Sequence, residues 1–383
     1  MANLGAYQKI SRVLSGQPFG NGSDGAYSSA TIPTLTKISC SGVATETHIH
    51  ATAGTFVAND IILLHQTRGT GVGQWEIDKI TADNGDGTFT VSAALNYTYT
   101  DSGASQAQAI KIPQYTSVTV QSGTWTAPSW DEDIGGIAVF AANVGVTVTG
   151  AISSRNGFIG GTYKNNPPVT SSTSAASWSG EGTAGATAEQ EAANGNAGGG
   201  GNHPADSGVN WASGGGGGNA TAGTAGDTNN GSGNGGDGGA TAGAADLTSM
   251  VFGGSGGGGI IDNGSVPGTG SKGGGIVIIF SKDIVITGSI VCSGINYTSS
   301  GGVGNGGAGA GGSILIATET ATLGTNLVTS GGGSGTGGFS VGGSGRIAVH
   351  HSGTVTGTSD PTFTDVTDTS LVGLASSGFF AFM

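Results

Sequence analysis

The spacing of apolar positions changes character along the chain. Leu4, Tyr7, Ile10, Val13 and Leu14 recur at near-helical intervals, which predicts a short amphipathic helix over 3–15. Gly20-Asn21-Gly22-Ser23-Asp24-Gly25 follows as a turn cluster. Residues 30–112 then read as short strands. Phe56-Val57-Ala58-Asn59-Asp60 leads into the apolar run Ile61-Ile62-Leu63-Leu64-His65, a buried strand, whereas Gln74–Ile80 alternates polar and apolar as a half-buried strand does. Asp83-Asn84-Gly85-Asp86-Gly87-Thr88 joins it to Phe89-Thr90-Val91 as a hairpin. Its acidic spacing resembles part of a calcium loop but lacks the closing glutamate, so it is taken as a turn.

From about residue 115 an internal repeat takes over. Gly135-Gly136-Ile137-Ala138-Val139-Phe140 is followed by Val146-Thr147-Val148-Thr149-Gly150-Ala151-Ile152. Gly274-Gly275-Ile276-Val277-Ile278-Ile279-Phe280 is followed by Ile284-Val285-Ile286-Thr287-Gly288-Ser289-Ile290, and Gly311-Gly312-Ser313-Ile314-Leu315-Ile316 by Ala321–Val328. A weaker fourth copy runs Gly345-Arg346-Ile347-Ala348-Val349 and Thr354-Val355-Thr356-Gly357. Each copy predicts two short strands, with a glycine inside the second. The spacing from Gly275 to Gly312 is 37 residues and from Gly312 to Gly345 is 33, as in a solenoid, but from Gly136 to Gly275 it is 139. The extra residues always enter after the second strand, as glycine-rich insertions at 156–274, 294–311 and 330–344.

That placement decides how the glycine is read. A stretch containing Gly198–Gly201, Gly214–Gly218 and Gly256–Gly259 has almost nothing to bury and would ordinarily be a flexible linker. A solenoid, however, brings equivalent insertions to one edge. Glycine strands held there side by side can adopt the polyproline II helix and bond through their backbones, with no side chain to keep them apart. The expectation is therefore an all-β chain: a docking segment at 1–18, a small β-domain at 19–114, a β-solenoid-like repeat domain at 115–358 whose glycine-rich loops pack as a polyglycine II bundle, and a closing or assembly segment at 359–383.

Composition narrows the function. The chain has 383 residues, 80 of them glycine, and a net charge of −13 with only 11 Lys+Arg, which leaves no basic face for nucleic acid. Cys40 and Cys292 form no redox or metal motif, and no run approaches the length of a membrane span. The start lacks the features of an export signal. Acidic residues are few: Asp131-Glu132-Asp133 precedes the first repeat, and Asp360, Asp365 and Asp368 gather near the end. His350 and His351 should point to opposite faces of a strand, and His48 and His50 to the same face. Nothing matches a nucleophile elbow, a zinc spacing or a phosphate loop, so the chain is expected to be non-enzymatic, without cofactor or metal. Aromatic residues within the long insertion, Phe158, Tyr163, Trp178 and Trp211, are the candidates for binding a receptor, since such rings on loops can stack on sugars or anchor in a protein pocket.

The run from Phe56 to Leu64, His65-Gln66-Thr67-Arg68-Gly69-Thr70-Gly71, Trp75-Glu76, the Gly85–Thr88 hairpin, and Val118-Thr119-Val120 continuing to Thr124-Trp125-Thr126-Ala127-Pro128 together resemble bacteriophage tail-fibre and related surface proteins over about residues 20–160. The glycine segments resemble tip adhesins of long tail fibres, whose glycine stretches form a polyglycine II sandwich. The resemblance implies a tail fibre or its tip, located on the virion, which binds a host-cell surface glycan or outer-membrane protein and contacts other copies of itself or other tail proteins. Alternatives are a self-assembling extracellular filament or surface-layer subunit of a prokaryote, and a virion polysaccharide depolymerase. No membrane insertion is expected of any of them.

Overall fold

The computed structural model describes residues 17–165, 175–203, 211–228, 234–261, 267–296, 304–325, 327–328, 331–332 and 340–372. The expected helix at 3–15 and the apolar end at 379–383 lie outside these residues. All regular structure among the described residues is β.

Its backbone is an eight-stranded parallel sheet. Ala26–Ser29, Gln114–Val120, Ile137–Val148, Ile276–Ile286, Ser313–Thr322, Arg346–His351 and Thr364–Thr367 follow one another across it, and the eighth strand, Val355–Thr356, pairs beside Arg346–His351 with the far end of Ser313–Thr322. Ile137 pairs with Ile276, Ile276 with Ser313, and Ser313 with Arg346, so the residues after the four repeated glycines stand in register. A second, five-stranded parallel sheet takes Thr124–Thr126, Ala151–Ser153, Ser289–Val291, Leu327–Val328 and Ser359–Asp360 in that order. Every repeat thus runs a long strand through the first sheet and a short one through the second.

Two details differ from the pattern reading. The glycine assigned to the interior of a second strand is instead the corner between the sheets. A Cβ on Gly150 would overlap the Gln121 carbonyl, and one on Gly288 the Gly150 carbonyl, so the stacked corners require glycine. The repeat also starts one copy earlier, with Gln114–Val120 and Thr124–Thr126. The boundary at 114 needs a correction too. Ala26–Ser29 pairs with Ser117–Val120 of the parallel sheet, so the chain enters that sheet before building its antiparallel domain.

That domain is a seven-stranded sheet ordered Lys37–Ser39, Gln106–Lys111, Ile61–Arg68, Trp75–Asp83, Thr88–Val91, His48–His50 and Ser41–Gly42. The Asp83–Thr88 hairpin is a turn: the Asp86 carboxylate accepts from the Thr88 N–H at 3.0 Å and from its hydroxyl at 2.6 Å. His48 and His50 are exposed on either side of buried Ile49. Cys40 is buried in this domain's own core and Cys292 in the parallel-sheet core.

Burial on both faces explains the continuous apolar runs. In Ile276–Phe280, Val277 and Ile279 enter the core between the two parallel sheets, while Ile276, Ile278 and Phe280 face Leu63, Trp75, Ile110 and Phe252 outside it. Trp130, Phe158 and Phe252 meet edge-on here, with centroids 5.1–6.2 Å apart. His65 stacks on Phe252 at 6.2 Å and bonds through Nε2 to the Met250 carbonyl at 2.9 Å.

Burial lowers the pKa of His65 from 6.5 to about 4. Between those values the unfolded chain takes up a proton that the folded chain refuses, so this part of the stability is complete above 6.5 and lost as pH falls towards 4. The shift corresponds to about 3 kcal/mol. Burial raises the Asp78 and Glu181 carboxyls, whose contributions run the opposite way. Comparison of wild type with His65→Gln isolates the histidine: denaturation followed between pH 7 and pH 4 should show the wild type losing more stability than the variant. Equal losses would contradict a neutral buried imidazole.

Candidate receptor-binding site

The glycine-rich insertions leave the parallel sheets as a third layer, bonded backbone to backbone. Gly253, Gly256 and Gly259 donate to the carbonyls of Gly274, Ser271 and Gly268 at 2.8–2.9 Å. Gly254 and Gly257 donate instead to Gly218 and Gly215, and Ser255 and Gly258 to Glu181 and Trp178. Successive residues therefore bond to three different neighbours, and every third residue returns to the same one. The ladder continues from Gly307 to Gly257, Gly257 to Gly215, Gly215 to Gly199 and Gly199 to Asp237, all at 2.8–2.9 Å. A Cβ on Gly199, Gly214, Gly217, Gly257 or Gly307 would fall well inside the 3.0 Å limit of real Cβ contacts, in each case against a neighbouring carbonyl.

Few side chains enter this layer, and they cap it. The Asn194 amide donates to the carbonyls of Gly180, Gly185 and Ala186, that of Asn196 to Gly218 and Phe252, and that of Asn219 to Gly311 and Gly312. Glu181 is the most deeply placed acid. Its carboxylate pairs with Arg68 and accepts from Trp130 Nε1 at 2.8 Å and the Ile159 N–H at 3.0 Å. Burial pushes its pKa up, against the opposing pull of the Ile159 N–H, Arg68 and Trp130.

The layer ends in short strand pairs. Lys164–Asn165 lies beside Ile260–Ile261, which pairs on its other side with Trp211–Ala212, while Ala175–Ala176 pairs with Asn202–His203. Gly268 bonds to Gly304 nearby at 3.0 Å, and Lys164 forms an ion pair with Glu189. The residues that bracket segments 166–174, 204–210, 262–266 and 297–303 thus meet at one end of the layer.

Three of the four candidate aromatics stand at that end. Tyr163 precedes the Lys164 strand, Trp211 begins its own, and Trp178 donates its N–H to the Thr162 carbonyl at 3.2 Å and is 38% exposed. Tyr163 and Trp211 are half-buried. Phe158 is not a tip residue: it is fully buried against Trp130 and Phe252, and a ring with no exposed surface cannot meet a receptor.

A groove of about 600 Å³ opens along the flank beside Tyr163. Tyr163 and Asn156 line one side, Ile295 and Asn296 the other, and Thr269 and Lys272 belong to the strand between. Pattern reading found Tyr163 by residue type and missed the rest. The available signal was the segment Gly268-Thr269-Gly270-Ser271-Lys272-Gly273, with larger side chains three residues apart between glycines.

The acidic candidates have local partners. Asp131 accepts from the N–H groups of Asp133 and Ile134, Asp365 pairs with His351, and Asp368 accepts from Ser370. With the Gln106 amide turned so that its nitrogen faces the acids, it bridges Asp101 and Asp133. Burial raises the pKa of both, followed by the charge of Asp133 for Asp101 and by that of Asp131 for Asp133. His350 turns inwards to the Asp246 carbonyl at 2.8 Å and His351 outwards, on opposite faces as expected.

No family model and no curated protein matches the sequence. Among solved structures the chain is similar to the Gp54 tailspike of Acinetobacter baumannii bacteriophage AP22, determined in complex with A. baumannii capsular saccharide, at 10% identity and a TM-score of 0.20. The alignment covers 89% of this chain and 57% of that one, so the present chain spans little more than half of that tailspike.

Proposed function

We propose that this chain is a non-enzymatic structural and adhesive protein of a phage tail, a fibre or its tip, which holds a host-cell surface receptor at the outer end of its glycine layer. The stacked parallel repeats form a β-solenoid in this reading, and the glycine layer is a polyglycine II lattice. The three-residue return of the hydrogen bonds supports the lattice, because that is the turn of the polyproline II helix. The observation that carries the adhesive role is the gathering of Tyr163, Trp178 and Trp211 at one end of a layer that otherwise exposes little but backbone. A lattice cross-linked by backbone bonds is stiff without a hydrophobic core, and it carries binding groups away from the sheets. At ~3.1 Å per residue, the seven steps from Gly268 to Gly275 project them by ~22 Å.

Antibodies raised against the purified chain test this directly. They should label the tails of virions in lysates of the producing culture, and the free chain should compete with those virions for adsorption. Labelled filaments on uninfected cells would overturn the reading in favour of a cellular surface polymer. A depolymerase has a single supporting feature, the Asp101–Asp133 pair. Release of reducing sugar from capsule, lost in Asp133→Asn, would replace the non-enzymatic reading with that one.

A further inference from the structure

We propose that the groove between Tyr163 and Ile295 binds an acidic oligosaccharide, with Lys272 and Arg155 meeting its negative groups and Tyr163 stacking on a sugar ring. This deepens the adhesive reading and rests on it.

The floor sets the chemistry. Gly268, Gly270 and Ser271 turn their N–H groups inwards, to the carbonyls of Gly304 at 3.0 Å, Gly161 at 2.8 Å and Gly307 at 2.9 Å. With two of three directions spent on neighbours, the third faces outwards, and it belongs to Thr269 and Lys272. These are three residues apart, ~9 Å in an extended three-residue turn, a length on the scale of a disaccharide. The result is a shallow trough whose glycine bed carries the Thr269 and Lys272 side chains one turn apart.

The sides supply saccharide-binding groups. Tyr163 offers an aromatic face, and its hydroxyl bonds to no described residue. Asn156 brings a planar amide that both donates and accepts, as sugar hydroxyls require. Ile295 is the single large aliphatic side chain of the lining, too little for an apolar peptide.

Charge then selects among saccharides. The chain carries −13 overall, yet among the described residues no carboxylate lines the groove. Of its 11 Lys+Arg, Arg68, Lys111 and Lys164 are paired with acids. Neither Lys272 nor Arg155 forms an ion pair with a described residue. Arg155, next in sequence to the lining residue Asn156, donates to the carbonyl of Gly294, next to Ile295, at 3.4 Å and remains exposed. Two cations without an acidic partner among the described residues, beside an aromatic face, complement a glycan bearing carboxylates. A neutral glycan would have no use for them.

Calorimetric titration of the full chain tests the assignment, using uronic-acid hexasaccharides (polygalacturonate, alginate and hyaluronan fragments) against maltohexaose and cellohexaose. At least one acidic hexasaccharide should bind and the neutral ones should not. Its affinity should fall by at least about tenfold in ~0.5 M salt. Lys272→Met should cost a similar factor, as should Tyr163→Ala, while Lys282→Met, at an exposed lysine elsewhere, should change nothing. Lys272 has no side-chain partner among the described residues, so its replacement breaks no side-chain bond to them; unchanged thermal denaturation of Lys272→Met checks that the fold is kept. Equal binding of neutral sugars, no binding of any acidic one, or full affinity in Lys272→Met would overturn the proposal. Fluorescently labelled chain on host cells separates the two levels: cell binding that survives both variants sinks the groove and spares the adhesin, whereas no cell binding at all sinks the adhesin.

Discussion

Gly257→Ala should unfold or severely loosen the glycine layer, although it adds only one methyl group. Gly257 sits in the middle of the backbone ladder, donating to Gly215 at 2.9 Å and accepting from Gly307 at 2.8 Å. Its added Cβ would overlap the Gly199 carbonyl, which is fixed backbone and cannot rotate away. Relief requires moving a whole strand by more than an ångström, and a strand that moves breaks the bonds on both of its other sides. Stranded buried N–H and C=O groups cost about 1–3 kcal/mol each, so the expected loss is about 4 kcal/mol or more. Gly185→Ala is the matched control: the atom nearest its new methyl is the Ala104 Cβ at 3.6 Å, an ordinary contact, and the change should stay below about 1 kcal/mol. Urea denaturation with hydrogen exchange at the glycine amides reads both. A flexible linker would behave in the opposite sense, since alanine there restricts the unfolded chain and is neutral or stabilising by about 0.4–1 kcal/mol. Indistinguishable curves for wild type and Gly257→Ala would remove the ordered layer.

The repeat was legible because its strands are local and its register is marked. Glycine before Ile137, Ile276, Ser313 and Arg346 aligns four segments by eye, and these residues pair across the sheet. The corner role of Gly150 was not legible, because it depends on which sheet each neighbouring residue joins. Local composition misled at Phe158. Surrounded by Gly157, Gly160 and Gly161 it looks like a loop ring, but its burial comes from Trp130 and Phe252, which reach it only through the fold. The pairing of Ala26–Ser29 with Gln114–Val120 was hidden for the same reason, a whole antiparallel domain lying between them. The groove falls between these cases. Tyr163 announces itself by type, whereas Lys272 acquires meaning only once a three-residue turn puts it on the outer face.

The most consequential single side-chain pair joins residues far apart in the chain. Arg68 ends a strand of the antiparallel domain, and Glu181, 113 residues later, lies in the glycine layer. Their side chains are 5% and 1% exposed. The neighbouring backbone is tied as well, with the Gly69 N–H donating to the Thr183 carbonyl at 2.9 Å. Glu181→Ala should therefore cost about 3–5 kcal/mol, because it leaves the Arg68 guanidinium buried without a counter-charge. It also strips Trp130 Nε1 and the Ile159 N–H of their acceptor. Arg68→Met should cost a comparable amount by stranding the carboxylate. The double variant Arg68→Met/Glu181→Ala removes both charges, so its loss should be smaller than the sum of the single losses by at least about 1.5 kcal/mol. It should still exceed zero, since the Trp130 and Ile159 donors remain unmet. A double-mutant cycle measured by thermal denaturation gives this coupling. Additive losses would mean that the ion pair does not lock the glycine layer to the antiparallel domain, and that the backbone bond from Gly69 to Thr183 carries that junction with the surrounding packing.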